Sequence, residues 1–268
     1  MTDSDRKSLG SSLAIVTTIV AIIILGFTLT SISLGPTAYS TATLAGFSAC
    51  LATILGFWSL YVISQEGLLR EDPYHIMTLS LSIGLLLFAM VDVARTGAIL
   101  NPTSEIYSYT ISSTMIAILV ILVIGIVGYA RSVNSVLNYM KQNERILLMV
   151  ISLASAFVGL SFVGVAGEQT ITRTFRMLIT TGGFASLCIT LAYVVNVLRD
   201  GSLSKQLAHI FIGLVLIFVQ TLLAWWATDL TANTISSVLG AEAYLLISLG
   251  IHRGCEECVF LEAGVDIE

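Results

Sequence analysis

The sequence predicts an all-α membrane protein, a bundle of eight transmembrane helices, on three observations. Charged residues fill 11% of the 268 positions, against about 25% in ordinary soluble domains. Hydrophobic residues fill 56% and the mean hydropathy is +0.94, more apolar surface than one water-soluble core can use. That surface is divided into eight runs, most of them near the roughly 20 residues that carry a helix across a bilayer.

The first run, 13–34, exceeds the apolar core of about 7–15 residues typical of a secretory signal and has no small-x-small site after it, so it reads as a first span. A tight turn from Gly35 to Ser40 leads into the second, 41–64. The third, 76–100, ends at Asn101-Pro102-Thr103-Ser104, a turn feeding the N-cap of the fourth, 111–133. The fifth and sixth, 147–167 and 177–198, are crowded with small residues, among them Ser155-x-x-x-Gly159, Gly182 and Gly183. That pattern lets helix backbones approach closely, and packing within the bundle accounts for it. The seventh run is 210–230. The eighth, 235–252, is short and contains Glu242; seven spans plus a re-entrant or interfacial helix is the alternative. Segments 1–12 and 253–268, the latter an acidic tail, flank a single membrane domain over 13–252.

Orientation follows from Lys and Arg. With the N-terminus inside, Arg6, Lys7, Arg70, Arg131, Lys141, Arg145, Arg199, Lys205 and Arg253 fall on the cytoplasmic side, and Arg95, Arg173 and Arg176 outside. This satisfies the positive-inside rule and places both termini of a multi-pass cell-membrane protein in the cytoplasm. Tyr107, Tyr109, Trp225 and Trp226 near outer span ends, and Trp58 and Tyr61 near an inner one, fit interfacial belts. The net charge of −5 carries no basic footprint for nucleic acid. The expected partners are the lipid bilayer and a cytoplasmic or membrane protein.

Ionisable residues inside spans are costly and are functional candidates for that reason. Asp92 lies in the third span with Arg95 at i+3 on the same face. Glu168 ends the fifth span, Asp229 ends the seventh, and Glu242 enters the eighth. One reading is an outward-facing acidic cavity in which Asp92, Arg95 and Glu242 bind a ligand or ion. The other is a neutralised structural pair, with Glu168 and Asp229 at headgroup level. On the inner side His75, His209 and His252 sit at span ends, followed by Cys255 and Cys258 in a C-x-x-C. Such imidazoles and thiolates could hold zinc or another transition metal. Histidine is equally at home at an interface with its ring against lipid and its nitrogens in water.

Several activities lack their residues. A retinal Schiff base needs a lysine within a span, and Lys7, Lys141 and Lys205 all lie in expected loops. No histidine lies mid-membrane for bis-histidine haem. The H-E-x-x-H, G-x-S-x-G and phosphate-loop motifs do not occur in the sequence. An internal repeat is visible: Phe47 to Cys50 and Tyr61-Val-Ile-Ser correspond to Phe184 to Cys188 and Tyr193-Val-Val-Asn. Each is followed by a His-Ile pair at His75 or His209, then Ile83-Gly84-Leu85 or Ile212-Gly213-Leu214. These hairpins, 41–92 and 183–229, resemble the multi-span input modules of archaeal membrane sensor proteins, although no output domain follows the last span here. The resemblance implies a sensor-like or accessory subunit that signals through a separate partner and assigns no catalytic residue. The other expectations are a small-solute or ion transporter or channel, and a membrane metal or redox protein.

Overall fold

In the computed structural model the described residues are 3–65, 72–103, 105–137, 171–199, 201, 203–226 and 229–262, with side chains described over 18–65, 72–103, 106–133, 177–199, 201, 203–224 and 229–254. They form seven α-helices: α1 Asp3–Ser33, α2 Ala38–Gln65, α3 Pro73–Leu100, α4 Glu105–Leu137, α5 Ile171–Val197, α6 Ser204–Trp226 and α7 Leu230–Glu262. The expected fifth span, 147–167, lies outside the described residues, together with Ser155, Gly159 and Glu168. Six helices, α2 to α7, are long and apolar enough to cross a membrane, and α1 is apolar over Thr18–Ser33. The chain has the character of a multi-pass helical membrane protein.

Local chemistry sets the helix ends. Gly35 has φ 87°, a left-handed conformation open to glycine at little cost, and this lets α1 turn into α2. Thr37 and Ser40 then cap α2 reciprocally: the Thr37 N–H donates to Ser40 Oγ at 3.0 Å and the Ser40 N–H to Thr37 Oγ1 at 3.2 Å. Asp72 caps α3 by accepting the Tyr74 N–H at 2.9 Å, with Pro73 at the first helical position, where its missing N–H costs nothing.

The sequence places Leu230 in the seventh span, whereas α6 stops at Trp226 and Leu230 begins α7. The short, doubtful last run becomes an unbroken helix of 33 residues, through His252 to Glu262. Its Thr, Ser and Asn residues lower its hydropathy, but Thr234, Ser236, Ser237 and Ser248 are all buried. They face other helices, so the lipid has no part in their cost.

Helices α2 to α7 close a ring. Each packs on the next in sequence, α7 returns to α2, and α1 stands outside against α7. Phe88 of α3 stacks on Phe184 of α5 and on Tyr244 of α7, with ring centroids 6.1 and 5.6 Å apart, so the ring is filled at mid-height. Two helix pairs approach through glycines at corresponding places. Gly84 faces Leu122, and Gly125 faces Ser80 and Met77, where α3 meets α4. Gly213 faces Ile247, and Gly250 faces Ile210 and Gln206, where α6 meets α7. The α3–α4 and α6–α7 seams are thus both built on facing glycines.

A Cβ on Gly125 would stand 2.6 Å from the Ser80 Cβ and 3.2 Å from the Met77 Cα. Gly125→Val should therefore destabilise the purified protein by about 1–3 kcal/mol, the usual cost of overpacking. Gly26→Ala, with nothing within 4 Å of the new methyl, should not. Thermal unfolding in one detergent compares them, and equal melting temperatures would disprove the close approach of α3 and α4.

Candidate functional site

About one and two turns of α3 beyond Phe88, toward the Pro102 end of the ring, stand Asp92 and Arg95. Asp92 is fully buried. Its Oδ2 accepts the Ser48 hydroxyl of α2 at 2.7 Å and the Tyr244 hydroxyl of α7 at 3.0 Å. The carboxyl therefore draws three helices together. Its Oδ1 lies 3.5 Å from Arg95 Nη1, an ion pair longer than the roughly 2.7–2.9 Å of a charge-assisted hydrogen bond, and it accepts no hydrogen bond among the described residues. Arg95 Nη1 instead donates to Ser236 Oγ of α7 at 3.2 Å, and Ser236 donates on to the Gln220 carbonyl of α6 at 3.3 Å. The Gln220 side chain also lies beside the Tyr244 hydroxyl.

This network belongs to a longer polar seam between α2 and α7. Thr41 meets Thr234 at 2.9 Å near one end, and Ser59 meets Ser248 at 3.2 Å toward the other. Both helices therefore carry small and hydroxyl-bearing residues at three- and four-residue steps on the faces they share.

Above the network the ring opens into a cavity of about 440 Å³, within the 300–1,000 Å³ usual for small-ligand sites. It is formed by the last turns of α3, the Pro102 turn, the first turns of α4 and the α6–α7 junction. Ile99, Ile111, Met115 and Leu230 give it apolar walls, and Ser108, Ser112, Thr221 and Asn233 give it polar groups. Arg95 is the one charged residue among the described residues lining it.

The structure joins some of the expected site residues and separates others. Asp92 and Arg95 meet, and Arg95 alone of the two reaches the cavity. Glu242 is two residues from Tyr244, roughly 200° around the helix; it is half-buried, does not line this cavity, and has no hydrogen bond or ion pair among the described residues. Among the described residues the charged group at this cavity is Arg95, and Glu168 of the expected acidic set lies outside them. Asp229 is exposed and caps α7 by accepting the Ala232 N–H at 3.0 Å. His209 contacts its own helix through Nδ1 and the Lys205 carbonyl, 2.6 Å apart. His252 is buried and His75 is half-buried. Among the described residues no three His, Cys, Asp or Glu side chains converge as a metal site; the side chains of Cys255 and Cys258 lie outside them. Ser48, Ser236 and Tyr244 carry no charge and were not singled out from the sequence. Their signal is the stripe of hydroxyl and small residues on α2 and α7.

Arg95→Gln leaves a buried carboxylate without its cation and should cost about 3–5 kcal/mol. The double variant Asp92→Asn, Arg95→Gln should recover most of that loss, whereas Ser48→Ala should cost about 0.6 kcal/mol, as intramembrane hydrogen bonds do on average. Unfolding titrations in mixed micelles give the coupling, and additive losses would show that the pair is not an energetic unit.

Comparison with protein-family models, curated protein sequences and solved structures finds no match to this chain.

Proposed function

We propose that the chain is a sensor-like or accessory membrane subunit that binds a small ligand in the Pro102-end cavity and passes its occupancy to a separate partner protein. The observation that carries this reading is the course of α7. Leu230 and Asn233 line the cavity, Ser236 and Tyr244 take part in the Asp92–Arg95 network, and the same helix continues unbroken to Glu262. At 1.5 Å per residue it is about 50 Å long. A ligand that shifts Arg95 acts on this rod through Ser236, and the far end is where a partner can read it. The aromatic packing of Phe88, Phe184 and Tyr244 below the cavity supports a blind binding site over a continuous pathway.

The same reading takes the chain as eight spans with both termini cytoplasmic. The free ends of α1 and α7 lie at the end of the ring opposite Pro102, where the expected basic loops cluster. Helix α4 ends there, whereas α5 begins at the Pro102 end, which fits the fifth span expected from the apolar run 147–167.

Two experiments test this. In a background with the native cysteines replaced, Gln142→Cys and Gln169→Cys should be labelled by an impermeant maleimide from opposite sides of the membrane, and labelling from one side would remove the crossing over 147–167 and with it the count of eight. Purification from the native membrane should yield a stoichiometric partner that is lost in Glu256→Pro, which breaks α7 beyond the bundle, with the melting temperature unchanged. Solute flux in proteoliposomes that depends on Arg95, with no partner recovered, would replace this reading with transport.

A further inference from the structure

We infer that the Pro102-end cavity is a carboxylate site, with Arg95 as the anchoring cation for a small amphiphilic organic acid; this deepens the binding role proposed above and rests on it. The argument is one of unused donors. A guanidinium carries five N–H donors in a rigid fork, yet among the described residues the hydrogen bond made by Arg95 goes to Ser236. Asp92 does not absorb the rest. Its Oδ2 is occupied by Ser48 and Tyr244, and its Oδ1 stays 3.5 Å away. The Arg95 side chain is only 9% exposed, and that remaining exposure is to the cavity it lines.

Three of the other polar groups in the lining already donate to their own helices, which leaves the Ser108 hydroxyl and one Asn233 N–H as neutral donors beside Arg95. Ser112 donates to the Ser108 carbonyl, Thr221 to the Ile217 carbonyl, and the Asn233 amide to the Asp229 carbonyl. Their lone pairs can still accept, but the Arg95 guanidinium repels a cationic ligand and is the charged donor in the lining among the described residues. A ligand that brings acceptors finds the Arg95 fork, whose planar geometry matches a carboxylate with two parallel bonds. The apolar walls at Ile99, Ile111 and Met115 require that this carboxylate carry a hydrocarbon part. Asp92 lies 3.5 Å from Arg95 on the inner side, and a ligand carboxylate meets the guanidinium from the cavity.

The acid could be water-soluble or a fatty acid already in the bilayer, and the experiment separates them. Full-length protein in nanodiscs is titrated with hexanoate from water, or prepared in nanodiscs doped with oleate, and thermal unfolding is followed, because a ligand that binds the folded state raises its melting temperature. Hexanol at equal concentration is the control. A shift with hexanoate and none with hexanol identifies a soluble acid; a shift with oleate alone identifies a lipid acid. In either case the neutral double variant Asp92→Asn, Arg95→Gln should abolish the shift. Ala98→Phe, which fills the cavity and leaves the charge pair intact, should weaken apparent affinity at least tenfold, and it carries the test if the double variant does not fold. Equal shifts with acid and alcohol, a shift that survives Ala98→Phe, or no shift with either acid would overturn the proposal. Absence of carboxylate binding with a partner recovered defeats this inference alone, whereas carboxylate flux defeats the sensor reading and leaves the site standing.

Discussion

The fully buried Asp92 carboxyl is the constraint around which the bundle is arranged. An ionised group in a low-dielectric interior is tolerated only with a counter-charge and hydrogen bonds to its oxygens. Here those come from three helices: Ser48 of α2, Arg95 of α3 itself, and Tyr244 of α7. Helices α2 and α3 are joined by a short connection and would neighbour each other in any antiparallel bundle. Helix α7 comes from the far end of the chain, and its seat beside α2 and α3 closes the ring. The polar contacts that hold it there discriminate between faces of the helix in a way that interchangeable apolar contacts cannot.

Polar contacts need close backbones. In a bilayer, lipid tails are as apolar as leucine, so helices gain little from hydrophobic burial and associate through packing and hydrogen bonds. Gly84, Gly125, Gly213 and Gly250 give α3–α4 and α6–α7 that packing at matched points, and Gly240 gives room for the Gln220 side chain beside the polar network. At the other end Gly254 lies directly against the Tyr74 hydroxyl, and Tyr74 packs edge-on to Tyr129 of α4 at 5.7 Å. The ring is thus tight at its middle and at the Asp72 end. Among the described residues it opens at the Pro102 end, where side chains around Arg95 leave the cavity.

The sequence was legible where a single run of residues decides the outcome. Apolar length located α2 to α6 to within six residues at either end, because the cost of exposing backbone to lipid forces helix over each run. It was least legible at α7, and for a physical reason: a helix buried among helices needs no hydrophobic exterior, so hydropathy underrates the segment most enclosed by protein. The Asp92–Arg95 pairing was visible as an i, i+3 spacing. The partners of that pair were not, since Ser48 and Tyr244 are neutral and distant in the chain, and only the ring brings them together. Glu242 drew attention as a charge in a short span, yet helical geometry turns it away from Asp92. Asp229 drew attention for the same reason and serves as a cap.

A cation placed in hydrocarbon faces two opposing demands. It must be neutralised when no ligand is present, and it must keep donors free to bind one. A tight bidentate pair between Asp92 and Arg95 would meet the first demand and defeat the second. Here the carboxyl is held by hydroxyls on one oxygen, while the guanidinium stands 3.5 Å from the other and leans on Ser236. Local charge is balanced, but the fork is not consumed. The long separation within the pair, the two hydroxyls on Asp92 and the spent donors of Ser112 and Thr221 then become parts of one arrangement. They hold Asp92 beside Arg95 and leave guanidinium N–H groups unused at the cavity.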